Sequence, residues 1–279
     1  MKKLLAVLTA AIMAASMMTG CGDSKTADAA NKLEEIKSEG KIVMGTSPDF
    51  APSEFEDTSS GKKEIVGSDI ELAKYIAQEL GVELEIKPME FMAIQQALVS
   101  NVVDMGIAGF AATPKRAETL GLSDPYGTSK DGHQGLVVMK GQGLEHSTAE
   151  SFSGMKIGAQ NASLQQDLCN AQLPEDIELK PVGSIPDAIM MLTTGKLDAV
   201  ALALDNADSL IATYPEIEAA EFKFEYQSTG NVVAVNKEET ELLEEINKII
   251  ASVNEQGLYE QWKEDAVKLA KSLNIEVEE

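Results

Sequence analysis

Short runs rich in β-branched residues alternate along this chain with longer stretches in which apolar residues recur every three or four positions. That alternation predicts an α/β protein whose parallel-type sheets are covered by helices on both faces. A first unit reads as a strand over 41–45, a turn-rich stretch, a helix over 69–80, a strand over 82–86, a helix over 91–100, a strand over 102–107 and a helix opening at 113–114. In the helix over 69–80, Ile70, Leu72, Ala73, Ile76 and Leu80 form one stripe, with Asp69 at the cap position and Gly81 as terminator.

A second unit runs through strands over 135–139 and 155–159, a helix over 163–171, a strand over 177–181, a helix over 185–194, a strand over 197–203 and a helix over 205–213. One more strand follows at 231–235, then helices over 238–253 and 258–273. Those last pieces have no strands of their own to cover, so they are expected to return to the first unit. Two crossings of the chain between units would form a hinge. The expected architecture is therefore two doubly wound lobes joined by a two-strand hinge, with residues 32–128 and 230–279 in one lobe and 129–229 in the other.

The amino-terminal stretch stands outside this pattern. Lys2 and Lys3 precede an apolar run over 4–17 that is too short to span a bilayer comfortably, and small residues lead to Met18-Thr19-Gly20-Cys21. This resembles a bacterial lipobox, in which Cys21 is acylated and becomes the new terminus, with an ordinary secretory leader as the alternative. Residues 1–20 are then a signal peptide and 21–31 a polar tether, so the protein is expected outside the cytoplasm and lipid-anchored to the cell membrane. With Cys21 carrying lipid, Cys169 has no partner within the chain, and no disulfide framework is expected.

Charge narrows the partners. With 23 basic against 46 acidic residues, the formal net charge of −23 argues against nucleic acid and against an anionic lipid surface. Catalytic signatures are missing: His133 and His146 sit in Gly- and Ser-rich surroundings, read as solvated loops, with no nucleophile or metal-ligand spacing nearby, and no Gly-rich phosphate loop follows a strand. No cofactor or metal is expected, and the chain reads as a binding protein rather than an enzyme.

Open α/β sheets bind ligands beyond the carboxyl ends of their strands. Four compositionally unusual segments fall there: 46–54, 109–116, 160–163 and 205–208. Thr113-Pro114-Lys115-Arg116 joins a capping hydroxyl, a Pro at the first helical position and an Arg, a setting for a carboxylate. Alone, such an Arg would more often cap a neighbouring helix. Ser163 and Gln166 form a capping box at a second helix start. Phe50, in a Pro-flanked loop, either covers a ligand or packs in a satellite core, and Phe91 reads as core. Asp205 is the nearest acid for a ligand ammonium, though Asp also caps helices.

Four ordered motifs carry a resemblance to a known family. Gly67-Ser-Asp-Ile-Glu-Leu-Ala73, Thr113-Pro-Lys-Arg116 followed by Leu122-Ser-Asp-Pro-Tyr126, Gly195-Lys-Leu-Asp-Ala-Val200 and Gly257-Leu-Tyr-Glu-Gln-Trp262 resemble segments of the family 3 periplasmic solute-binding proteins of amino-acid ABC importers. The resemblance spans residues 41–269. It implies the type II periplasmic binding-protein fold, capture of a small amino acid-type solute by hinge closure, and delivery by a monomer to an ABC transporter permease. It also implies that Arg116 binds the α-carboxylate with backbone at Ala108, Gly109 and Ala111, that Phe50 lies against the ligand side chain, and that Ala162 and Ser163 add contacts from the second lobe; Phe91 and Gln160, in the same strand-end regions, are further candidate ligand-binding residues.

Two departures stand out. Ala111 occupies a place where many members carry a hydroxyl, and Ala203 stands where they carry the ammonium-binding acid, with Asp205 two residues on. A ligand sensor working with a separate receptor, or a dehydratase-like enzyme, are the other readings this fold permits.

Overall fold

The computed structural model describes residues 31–127, 133–227, 229–273 and 275; the side chains of residues 205, 206, 208, 209 and 212 also lie outside the description. Cys21, the leader and the tether up to residue 30 fall outside the described residues, while Asn31, expected to end the tether, caps the first helix.

The chain opens with helix α1 (Lys32–Glu39) and strand β1 (Lys41–Thr46), followed by a small antiparallel hairpin, β2 (Phe55–Asp57) and β3 (Glu64–Val66). Then come α2 (Ser68–Leu80), β4 (Glu83–Pro88), α3 (Phe91–Val99), β5 (Met105–Gly106), the single-turn α4 (Pro114–Ala117) and β6 (Leu120–Leu122). The second set comprises β7 (Gln134–Met139), β8 (Lys156–Gln160), α5 (Leu164–Gln172), β9 (Glu178–Val182), α6 (Ile185–Thr193), β10 (Ala199–Ala203), α7 (Leu204–Thr213) and β11 (Ile217–Lys223). Strand β12 (Ala234–Asn236) and helices α8 (Thr240–Gln256) and α9 (Leu258–Ser272) close the described chain.

Two five-stranded sheets result, in the orders β4-β1-β5-β12-β6 and β11-β7-β10-β8-β9. Strand β1 runs parallel to β4 and β5, and β8 runs parallel to β9 and β10. Each sheet is mixed rather than wholly parallel, because β12 is antiparallel to β5 and β6, and β7 to β10 and β11. The reversed strands are those next to the crossings between lobes. A chain that arrives from the other lobe enters from the hinge end and so runs against its neighbours. At the hinge itself Tyr126 N–H donates to Asn231 O at 2.8 Å and Val232 N–H to Phe110 O at 2.8 Å.

Burial on both faces explains why the central strands show no polar alternation. Ile42 and Met44 point into one core with α2 and α8, while Val43 packs on the other face against Ile94 and Leu98 of α3. In the second lobe Ala199 and Ala201 face one cluster, and Val200 and Leu202 face another. Helices α8 and α9 cover the first sheet, with Leu242, Ile246, Ile250, Val253 and Tyr259 in its core.

Several expectations shift at this level. The strand expected over 102–107 pairs only at Met105–Gly106, and α1 and β11 were not legible from periodicity. Asp69 does not cap α2; Gly67 does, with φ +130°, and a Cβ there would lie 2.2 Å from Ser53 O. His146 is not a solvated loop residue, since its ring stacks on Phe152 with centroids 4.9 Å apart. Among the described residues no helix is long and apolar enough to cross a membrane.

Candidate ligand-binding site

The carboxyl ends of β1, β5, β8 and β10 converge on a cleft between the lobes, a cavity of about 770 Å³. From the first lobe Phe50, Phe91, Ala108, Gly109, Ala111 and Arg116 line it; from the second, Gln160, Ser163, Leu164, Ala201 and Ala203 do.

Arg116 is 6% exposed. Its Nη1 donates to Ala111 O at 2.7 Å and its Nη2 to Ala162 O at 3.1 Å. The guanidinium carbon sits 5.2 Å from the Phe91 ring centre and 5.3 Å from that of Phe110, and those rings pack against each other at 4.7 Å. Phe91 is thus both core and site. Among the described residues no carboxylate forms an ion pair with Arg116, and burial pulls its pKa down to about 10, with Asp167 and Tyr226 opposing the shift. A desolvated cation held only by carbonyls and ring faces is a receptor for an anion. The helix that carries it is one turn long, and Thr113 Oγ1 accepts from Arg116 N–H at 3.2 Å, so the cation rather than free backbone N–H groups marks the anion site.

The wall beside Arg116 is set from below. Gly109 has φ +56°, and its N–H donates to Asp69 Oδ2 at 3.0 Å. Tyr126 Oη donates to the same oxygen at 2.9 Å, and Tyr259 Oη to Asp69 Oδ1 at 2.7 Å. Glu54, 1% exposed, lies against Asp69; burial and the adjoining Asp69 and Asp49 charges push its carboxyl well above the usual range. Burial also raises Asp69, but three donors oppose that shift. The proton of the pair therefore belongs on Glu54. Glu54 Oε2 is buried and accepts from no donor, which also suits a carboxyl that keeps its proton.

In the second lobe Ser163 caps α5, accepting from Gln166 N–H at 3.1 Å, while Gln166 Oε1 accepts from Ala162 N–H at 2.8 Å. This reciprocal cap holds Ala162 at φ +59°. Ala162 does not line the cavity; its carbonyl is turned to Arg116 and to Gln95 Nε2. The side chain of Asp205 lies outside the described residues. Where an acid was sought, the end of β10 offers Ala201, Leu202 and the helix cap Ala203. Phe50 lines the cavity, leans over Gly109 and packs on the second lobe's apolar cluster.

Sequence reasoning missed Asp49, Glu54, Tyr126 and Tyr259. Asp49 stands between Pro48 and Phe50 in a segment already marked as unusual, and Glu54 ends it, so adjacency was the available signal. The tyrosines come from elements far apart in sequence, which no local pattern could join to Asp69.

Comparison with known proteins places these features in a family. The profile of bacterial extracellular solute-binding proteins, family 3, matches residues 42–267. The chain is 28% identical over 94% of its length to the arginine-binding extracellular protein ArtP of Bacillus subtilis, covering 97% of that protein. It is 26% identical over 90% of its length to the L-cystine-binding protein TcyJ of Escherichia coli, covering 92% of it. An amino acid ABC transporter substrate-binding protein, AbpA, from Streptococcus pneumoniae, solved bound to L-arginine, superposes with a TM-score of 0.78 at 36% identity, over 84% of this chain and 98% of that one.

Proposed function

Because the chain belongs to the bacterial extracellular solute-binding proteins of family 3, we propose that it captures a free amino acid outside the cell and presents it to an ABC importer. The observation that carries this reading is Arg116, a buried guanidinium that lines an interlobe cavity and, among the described residues, pairs with no carboxylate. The solute's α-carboxylate supplies that partner in bidentate contact, and Phe50 and Phe91 pack on its carbon skeleton. Ser163, Gln160 and the backbone of Ala108, Gly109 and Ala111 complete the enclosure.

L-Arginine is the first solute to test, because ArtP and AbpA are described by it. Capture is a closure equilibrium: the solute binds one lobe and gains contacts from the other only when they meet, so it shifts the population toward the closed form. The protein works by binding and release, without turnover. Lipid at Cys21 would hold the protein, acting as a monomer, at the outer face of the cell membrane, within reach of the permease.

Isothermal calorimetry against single amino acids tests the reading. Wild-type protein should bind L-arginine or a close relative tightly, and Arg116→Ala should lose at least 100-fold in affinity while its circular dichroism stays unchanged. Equal affinity in wild type and Arg116→Ala would overturn the assignment. Metabolic labelling with palmitate, read against Cys21→Ala, tests the anchor.

A further inference from the structure

Polar contacts join the lobes across the cleft. Lys115 pairs with Asp167 at 2.6 Å, with the Lys side chain 72% exposed, and an ion pair so open to water contributes little to closure. Gln95 and Arg116 both donate to Ala162 O, and Asn161 Nδ2 lies 2.9 Å from Met92 Sδ. Asp49 differs from these. Its Oδ2 accepts from Gln160 Nε2 at 3.0 Å and from the backbone N–H of Ile185 at 3.0 Å, both in the second lobe. Its Oδ1 accepts from Ser47 Oγ at 3.0 Å within its own lobe.

We propose that Asp49 is a closure clasp, a positioning residue that holds the second lobe over the bound solute through Gln160 and the first turn of α6 and does not itself receive the solute's charge. The proposal rests on the solute-capture reading above. Three donors already converge on this carboxylate, and two of them are lost when the lobes part. Its bonds to the second lobe therefore exist in one conformation only, which is what a group must offer to bias a two-state equilibrium. Ile185 begins a nine-residue helix whose cap, Ser184, serves Asp187 N–H; Asp49 reaches from the other lobe to the free N–H at the positive end of that helix. Phe50, the next residue, packs against the apolar cluster that includes Ile185, so clasp and ring engage the second lobe together. Burial raises the Asp49 carboxyl above its usual range, hence the charge itself is costly to enclose, and the acceptor oxygen is the useful part.

The test uses mature full-length protein carrying spin labels at Glu79→Cys in the first lobe and Glu175→Cys in the second. Interlobe distances would be measured with and without L-arginine, alongside calorimetry and dissociation rates on unlabelled protein. Asp49→Ala should lower the closed fraction, weaken affinity about 10-fold and speed dissociation by a similar factor, since it leaves the Ile185 N–H without its acceptor. Asp49→Asn keeps an oxygen for both second-lobe donors and should stay within about 3-fold of wild type in all three readings. A loss as large in Asp49→Asn as in Asp49→Ala, confined to cationic amino acids and with an unchanged closed fraction, would instead make Asp49 the ligand's charge receptor and overturn the clasp. So would wild-type closure in Asp49→Ala, or a wild type that never populates the separation seen in the structure. A protein that closes but binds no amino acid would overturn the solute assignment and leave the clasp standing.

Discussion

Glu54 and Asp69 meet in full burial, among the described residues neither forms an ion pair, and this fixes how one part of the fold responds to pH. A carboxyl whose folded pKa is raised binds more protons when folded than when unfolded. Its stabilising contribution is complete below the ordinary carboxyl range and is lost as pH climbs through the raised folded value. Glu54→Gln, which mimics the protonated form, should therefore flatten the fall in stability with rising pH above about 4.5 that wild type shows, read as urea midpoints at a series of pH values. Identical pH slopes in the two proteins would place the proton elsewhere. Ala162 is a second residue whose conformation carries a cost, because L-residues with a Cβ disfavour the left-handed region it occupies. Ala162→Gly should raise stability by up to about 1 kcal/mol with solute affinity unchanged, since the site uses only its carbonyl. Arg116 became a candidate through the local setting of the Thr-Pro-Lys-Arg run together with the ordered motifs around it, all of which are short stretches of sequence. The Glu54–Asp69 pair was not legible, since its two members come from separate segments that only packing brings together.

Among the elements, α2 is the best specified by sequence and also the one whose start was misread. Its stripe and its terminal Gly81, at φ +73°, follow the expected pattern. Its first turn is governed instead by the approach of the chain at Ser53, whose carbonyl accepts from Asp69 N–H at 2.9 Å. Only a glycine fits at residue 67, by φ and by space, and Gly67→Ala should cost roughly 3 kcal/mol in chemical denaturation. That turn also carries Asp69, so the variant should bind solute more weakly through displacement of Gly109. Strand β5 shows the opposite failing. Its apolar run suggested a longer strand, but residues 100–104 form a tight return from α3, and β1 and β12 leave room for only two paired residues.

For the molecule as a whole, capture by lobe closure would make binding and compaction one event. Small-angle scattering should report a smaller radius of gyration in saturating solute, and thermal unfolding should shift upward as binding to the folded state adds RT ln(1 + [L]/Kd), about 2.7 kcal/mol at 100 times Kd. Arg116→Ala should show neither change at the same solute concentration. A thermal shift that persists in that variant would point to binding outside the cleft. The hinge shares its residues with the buried network, because Tyr126 pairs with Asn231 at the crossing and donates to Asp69 beneath the site. A change of hinge angle would therefore reach the wall at Gly109 through two hydrogen bonds, Tyr126 to Asp69 and Gly109 to Asp69, not through a long relay.

By itself the sequence determined the succession of strands and helices, the α/β class with its returning carboxyl-terminal helices, the candidate Arg116 and the four ordered motifs. Each of these is written in local periodicity or in short runs of residue types, and local order needs no knowledge of the fold. Tertiary structure decided the rest: that the strands beside the hinge run against their sheets, that Ala162 offers a carbonyl rather than a wall, that Asp69 anchors Gly109 rather than capping a helix, and that Asp49 bridges the lobes. Those facts depend on which distant segments meet, and the burial of both sheet faces, by erasing polar alternation, leaves no mark in the sequence of where each strand will be placed.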